Sequence, residues 1–239
     1  MSMFDILSFG PGGWGDEMLR GALMTLLVAG LGFLGGNIIG AVVATARVLG
    51  PAPVRWLGTA YTTVVRGVPE LLIIYLLFFG GGEFFRFIAK IFFLGGDGFA
   101  DAFSAGVLAL SVVSGAYSAE VFRGAVGAVP RGMFEAARAF GMRPFQMLRL
   151  IAIPQVLRYG LPAMANVWQL TLKDTALISV TGLVELMRTT DIAAGSTQRS
   201  FFFYTISIMI FLAFTALSDL LFRRAENFCG CHGHAGGKG

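Results

Sequence analysis

The chain has 239 residues, of which 56% are hydrophobic and 13% charged, whereas soluble domains carry about one quarter charged residues. That balance excludes an ordinary soluble domain and points to an all-α integral membrane protein, built on spans of about 20 apolar residues. The net charge of +4 does not argue for nucleic acid, because the basic residues flank apolar runs, where they set orientation.

Residues 1–18 form an external, interfacial segment: MFDILSF followed by the breaker run GPGGWG predicts a short helix anchored by Phe4, Phe9 and Trp14. Asp5, Asp16 and Glu17 precede the first basic residue, Arg20, so the basic region of a cleaved signal is missing and the first span is expected to stay. Residues 19–222 then hold five candidate spans, at Gly21–Ala46, Leu57–Phe79, Phe99–Phe122, Ile151–Val180 and Phe201–Phe222. With the amino terminus outside, 12 of the 18 basic residues fall on inner segments and 5 on outer ones, with Lys173 inside the fourth span. The positive-inside rule favours that orientation and puts the carboxyl terminus in the cytoplasm.

The first span is rich in small residues, among them Gly32, Gly36 and Gly40, with Asn37 as its core polar group; such helices pack closely on a neighbour. In the second, Pro69 is expected to kink the helix, and Arg66 and Glu70 share a face at four-residue spacing, either as a structural ion pair or as a gating contact. Glu83–Gly98 reads as an external Phe-rich hairpin. The third span offers Ser111, Ser114 or Gly115, and Ser118 as a packing face, with Tyr117 and Glu120 on another side. A carboxylate at membrane depth is costly unless paired or hydrated, so Glu120 is read as a pathway or gate residue, the alternative being a pair with Arg123 or Arg66.

In the fourth span Asn166, Gln169 and Lys173 make one polar stripe with Asp174 beside it. Such a stripe lines a cavity or a subunit contact; cavity is the reading for Asn166 and Gln169, and both remain open for Lys173 and Asp174. In the fifth, Asp219 has Arg223 four residues on. The tail, 223–239, contains Cys229, Cys231, His232 and His234, which could bind a metal; the composition favours a glycine-rich cytoplasmic end and no metal. No internal repeat stands out.

Between spans three and four lies RGMFEAARAFGMRPFQMLRLIAIPQ. On a helix, Arg131, Glu135 and Arg138 share a face, so that Glu135 can bridge two arginines, and Met133, Ala137 and Phe140 form an apolar strip. Gly141 suits a left-handed cap, Pro144 can open a second short helix, and Pro154 should interrupt it where the chain re-enters the membrane. Helices this short need a docking partner. That partner is a groove on a soluble protein, the membrane surface or this subunit itself.

At these residues the chain resembles the permease subunits of bacterial ABC importers, whose signature runs E-A-A, three residues, G, nine residues, I or V, one residue, L, P. Glu135, Ala136, Ala137 and Gly141 match its first half; Ile151 keeps the spacing, and Pro154 follows Ile153 where leucine is commoner. YTTVVRGVPELL, AYSAEVFRGAVGAVPRGMFEAARAFGM and LPAMANVWQLTLKDTALISVTGLVEL are similar to permeases of the polar amino acid group, closest to its basic amino acid and opine branch. The resemblance implies a five-helix type I importer fold and a second permease subunit, two ATPases and a periplasmic binding protein as partners. It also implies a coupling helix in which Arg131, Phe134, Glu135, Ala136, Ala137, Phe140 and Gly141 meet the ATPase, in the bacterial inner membrane.

No G-x-x-x-x-G-K-[S/T] occurs in the chain, so no catalysis is expected here, and ATP and magnesium belong to partner subunits. Tyr117, Glu120, Asn166 and Gln169 are the pathway candidates, and a carboxylate there would favour a cationic amino acid or opine. Arg66, Pro69, Glu70, Lys173 and Asp174 are the structural or gating candidates. The competing readings are a stand-alone channel or ion-coupled transporter, relaying ions through Glu120, Lys173 and Asp174, and a membrane enzyme, for which no set of nucleophile, base or metal ligands can be assembled.

Overall fold

The computed structural model describes residues 7–10, 13–80 and 98–229. Among the described residues every regular element is helical. The proposed interfacial helix around Phe4, the hairpin after Glu83, and Cys231, His232 and His234 lie outside the described residues.

Helix α1, Gly15–Leu49, carries Asp16 and Glu17 in its first turn and Arg47 in its last, the polarity that suits a helix dipole, and stops at Gly50 and Pro51. Helix α2, Ala52–Gly67, opens on Pro51 and Pro53 and ends before Pro69. Here the structure departs from the expected kink: α2 stops, and α3, Glu70–Tyr75, leaves at 112° before widening into a π turn at Leu76–Gly80. The cause is local. Val68, squeezed by the following proline ring, is extended (φ −109°, ψ 142°), which no kinked but continuous helix allows.

Helix α4, Gly98–Ala128, is the centre of the fold. Two thirds of its most apolar stretch (67%) is buried, against 28% for α1 and 11% for the last helix, so α4 is wrapped by protein while the others keep faces for lipid or partners. Its seam with α1 is made of glycine against serine, as the small residues foretold. A Cβ on Gly36 would lie 1.8 Å from Ser114 Oγ, and one on Gly40 would lie 2.5 Å from Ser118 Cβ. The serines also bond across, Ser114 to the Gly32 carbonyl (3.0 Å) and Ser118 to Asn37 Oδ1 (3.1 Å), satisfying polar groups that lipid would leave unpaired.

After Val129 and Pro130 the chain turns into α5, Arg131–Ala139, then α6, Pro144–Met147. Pro154 does not interrupt the re-entry. A π turn at Leu148–Ala152, closed by Ile153 N–H on the Leu148 carbonyl, leads without a break into α7, Ile153–Asp174, with Pro154 in its first turn. Helix α7 ends six residues earlier than expected, and a 3₁₀ stretch, Thr175–Thr181, leads to left-handed Gly182. Helix α8, Leu186–Thr197, is an element the apolar-run reading did not separate; α9, Ser200–Phe228, is the last.

Among the described residues three helices, α1, α4 and α9, are long and apolar enough to cross a membrane by themselves, and the broken α2–α3 pair makes a fourth if it is counted as one span. Helix α7, the remaining expected span, has the length at 22 residues but a polar content that sets it apart. The core has three parts: Val28, Leu110, Ile178 and Leu183 between α1 and α4; Met18, Ala22, Leu186 and Phe203 under α8; and Val65, Ile73, Val113 and Ala116 around the α2–α3 break.

Candidate functional site

Two features carry polar chemistry: a cluster of charges toward the C-terminal ends of α1, α2 and α4, and the short helix α5. In the cluster, the Glu120 carboxylate receives guanidinium groups from three helices. Arg47 of α1 pairs with Oε1 and also donates to Thr62 Oγ1 (3.0 Å); Arg123 gives both Nε (2.9 Å) and Nη2 (2.8 Å) to Oε2; Arg66 stands 3.9 Å from Oε1. Arg47 is 10% exposed and Glu120 20%, whereas Arg66 and Arg123 are close to half exposed.

Arg123 and Arg66 were legible as partners for Glu120 from the sequence; Arg47, the most buried of them, was not. It is 73 residues away, and only the α1–α4 register brings it near.

The expected Arg66–Glu70 pair does not form, because the break at Pro69 puts the two on separate helices. Arg66 instead lies over the Tyr117 ring, 5.5 Å from its centroid, and Tyr117 Oη donates to Glu70 Oε1 at 2.7 Å. Of the polar stripe on α7, Gln169 faces α9: its amide donates to Asp219 Oδ1 (3.0 Å) and the Thr215 carbonyl (3.4 Å), beside Trp168 Nε1 bonded to Ser218 Oγ (2.8 Å). Asp219 thus takes Gln169, and among the described residues it forms no ion pair with Arg223. Asn166 and Lys173 are exposed and Asp174 is partly buried beside them.

Helix α5 follows Pro130, which fixes its first turn. Gly141 has φ +71°, its N–H reaches the Arg138 carbonyl (2.9 Å), and Met142 N–H reaches that of Ala137 (3.0 Å). This is a Schellman cap, and glycine is needed there for the backbone alone, since a Cβ would meet nothing within 4 Å. Ala137 is buried, Met133 and Phe134 are partly so, and Glu135, Ala136 and Arg138 are exposed. Glu135 forms no ion pair with Arg131 or Arg138 in the isolated chain; among the described residues all ion pairs converge on Glu120. Phe140 and Phe145, 85% and 70% exposed, flank the cap on what the sequence reads as a water-facing surface.

A residue that the sequence reading left without a role is Glu185. It caps α8 from a position outside the spans, with no solvent exposure, accepting from Met187 N (2.9 Å), Arg188 N (2.8 Å) and Thr25 Oγ1 (3.1 Å). Burial pushes its carboxyl above the usual range, against the lowering effect of those donors. Among the described residues no three His, Cys, Asp or Glu side chains gather as a metal site, and Cys229 is free and exposed.

A central small-residue helix seam, a broken second span and a capped, exposed helix between α4 and α7 define an importer-type permease. Residues 36–227 match the family of binding-protein-dependent transport system inner membrane components, and the chain belongs to that family. It is 51% identical over 225 residues to the nopaline transport system permease protein NocQ of Agrobacterium fabrum, covering 93% of this chain and 95% of that protein. It is 37% identical to the histidine/lysine/arginine/ornithine transport system permease protein HisQ of Escherichia coli, covering 87% and 90%. Among solved structures, one described as an amino acid ABC transporter with histidines superposes with a TM-score of 0.75 at 31% identity, covering 90% and 94%. An inward-facing form of the MetNI methionine ABC transporter shares the fold, with a TM-score of 0.73 at 18% identity and 90% and 96% coverage. The chain is a permease subunit of an ABC importer with the type I fold.

Proposed function

We propose that this subunit passes a cationic amino acid or an opine from a periplasmic binding protein into the cytoplasm, in partnership with a second permease and two ATPases that bind ATP and magnesium. The observation that carries the reading is α5. A nine-residue helix with an E-A-A face is closed by a cap that only glycine accepts cheaply, and two bare phenylalanines, Phe140 and Phe145, flank that cap beside arginines. Apolar rings exposed in this way are anchors for a groove. Arg131, Phe134, Glu135, Ala136, Ala137, Phe140 and Gly141 form the handle on this proposal, and closure of the ATPase pair moves α4 and α7 through it.

For the cargo, the names of the nopaline, octopine and histidine/lysine/arginine/ornithine relatives support a substrate with a basic side chain or its conjugate. Asn166 is the pathway residue we carry forward: an exposed amide midway along a spanning helix does not face lipid without cost. Tyr117, Glu120 and Gln169 have partners within the chain. The subunit lies in the inner membrane with its amino terminus periplasmic and its carboxyl terminus cytoplasmic, following its basic residues.

The test is uptake of labelled nopaline, octopine and arginine by vesicles containing the assembled complex. Uptake of at least one of these that requires ATP and the ATPase chain is expected. Uptake persisting without the ATPase would establish a stand-alone transporter instead.

A further inference from the structure

The break in the second span is held on both sides by a single turn of α4. Before the break, Arg66 lies over the Tyr117 ring and 3.9 Å from Glu120; after it, Glu70 accepts the Tyr117 hydroxyl at 2.7 Å. Tyr117 and Glu120 are three residues apart, so they occupy neighbouring positions on one helical face. Between Arg66 and Glu70 the chain turns through 112° across Val68 and Pro69.

Proline accounts for a break but not for its angle, since an extended residue before proline leaves the direction of exit free within a wide range. The angle therefore needs tertiary contacts, and these two straddle it. The apolar packing at the same place, Val65 and Ile73 against Val113 and Ala116, is non-directional and tolerates rotation; the Tyr117–Glu70 bond and the Arg66–Glu120 contact have direction.

We infer that Tyr117 and Glu120 are positioning residues of the transport step: together they clamp the α2–α3 bend to α4, so that displacement of α4 re-aims α3. Glu120 is tied in turn to α1 through Arg47, and Arg47 to α2 through Thr62. The inner ends of α1, α2 and α4 therefore move as a body, and the arm beyond Pro69 follows through its apolar packing and the directional Tyr117–Glu70 bond. Helix α4 leads through Pro130 directly into α5. The clamp thus lies between the handle and the bend, and in its transport consequence the inference rests on α5 being the point where force enters.

The bend is measured without assuming any partner. Spin labels at Val64→Cys and Leu76→Cys, both exposed positions on the two arms, are placed in a chain with Cys229→Ser and Cys231→Ser, and the label-to-label distance distribution is recorded in lipid. A single narrow distribution is expected for the parent, and a shifted or broadened one for Tyr117→Phe, which lacks only the hydroxyl donor, and for Glu120→Gln. Arg66→Lys, which keeps the charge, should fall between. Distributions in Tyr117→Phe and Glu120→Gln that match the parent would overturn the clamp. Tyr117→Phe decides the matter alone if Glu120→Gln does not assemble.

In the assembled transporter, the amount of cargo imported per ATP hydrolysed should fall about tenfold in Tyr117→Phe, the size of effect expected when a hydrogen bond to a charged group is lost, with the ATPase still bound. An unchanged ratio would remove the residue from the transport step. Failure of α5 to bind an ATPase would leave the spin-label result standing and would refute the coupling reading instead.

Discussion

At the scale of single residues, the two most informative carboxylates differ in how their charge is met. Glu120 has three guanidiniums around one carboxylate, an excess of positive charge that makes its removal costly: Arg47, almost buried, would lose its counter-ion. Among the described residues Glu185 has no cation partner; it is held by two backbone N–H groups at the start of α8 and by Thr25, whose single hydroxyl proton is shared between Glu185 Oε2 and the Gly21 carbonyl. Because burial raises its pKa in the folded chain, the folded state binds the proton more tightly than the unfolded one. Its contribution to stability is therefore full below the ordinary glutamate range and is lost as pH rises through the raised value. Thermal unfolding in detergent should show the midpoint falling with rising pH over that window, and Glu185→Gln should flatten this part of the profile. Glu185→Ala should destabilise at every pH, by about 2 kcal/mol for a lost cap. An identical pH profile in wild type and Glu185→Gln would show that Glu185 does not titrate there. Of the Glu120 cluster the sequence offered Arg123 and Arg66 but not Arg47, and the Glu185 cap was not legible in it. A glutamate after a glycine-terminated turn carries no capping signature, and Arg47 counted only as one of the inner basic residues.

At the scale of elements, the sequence was most informative where one chemical rule acts locally. The glycine and serine spacing marked the α1–α4 seam because close approach needs small residues on both sides, and Gly141 was recognisable as a cap because few residues other than glycine adopt its φ of +71° without strain. It was least informative where two rules compete, as at Pro69. Helical spacing pairs Arg66 with Glu70, but the steric rule for Val68 prevails, and the pair is replaced by contacts to α4. The cap yields the sharpest prediction for an element. Gly141→Val forces a β-branched residue into the left-handed region at a cost of about 1–2 kcal/mol, in a helix of nine residues that has little stability to lose. The expected result is a subunit that inserts normally, because α1, α4 and α9 are untouched, yet imports at least tenfold less. Co-purification with the ATPase, measured beside uptake, checks this: full retention of both would show that the cap geometry is dispensable.

For the whole molecule, burial is graded rather than uniform. Helix α4 is enclosed, α1 keeps an outward row of Leu19, Leu23, Leu27, Leu34 and Ile38, and α9 exposes Phe201, Ile208, Leu212, Leu217 and Leu221. These rows are continuous and apolar, as lipid or a second membrane subunit requires, and they explain why composition was enough to place the chain in a membrane. Composition placed the start of α9 within one residue but could not reveal α8 or set the path from α7 to α8, since neither depends on hydropathy.

Orientation is where sequence and fold make a joint prediction. If basic residues set topology, the arginines of α5 and the pair Arg223 and Arg224 near the end of α9 must share one side, and α9 carries Cys229 past them as a free, exposed thiol. With Cys231→Ser leaving Cys229 as the single cysteine, a membrane-impermeant maleimide should label inverted vesicles and spare intact spheroplasts. A second label at Phe140→Cys, on the bare face beside the Gly141 cap, should follow the same pattern, and binding of the ATPase should protect it while leaving Cys229 reactive. Labelling of either site from outside the cell would place α5 on the wrong side for any cytoplasmic engine. Equal labelling with and without the ATPase would mean that its exposed phenylalanines face something else.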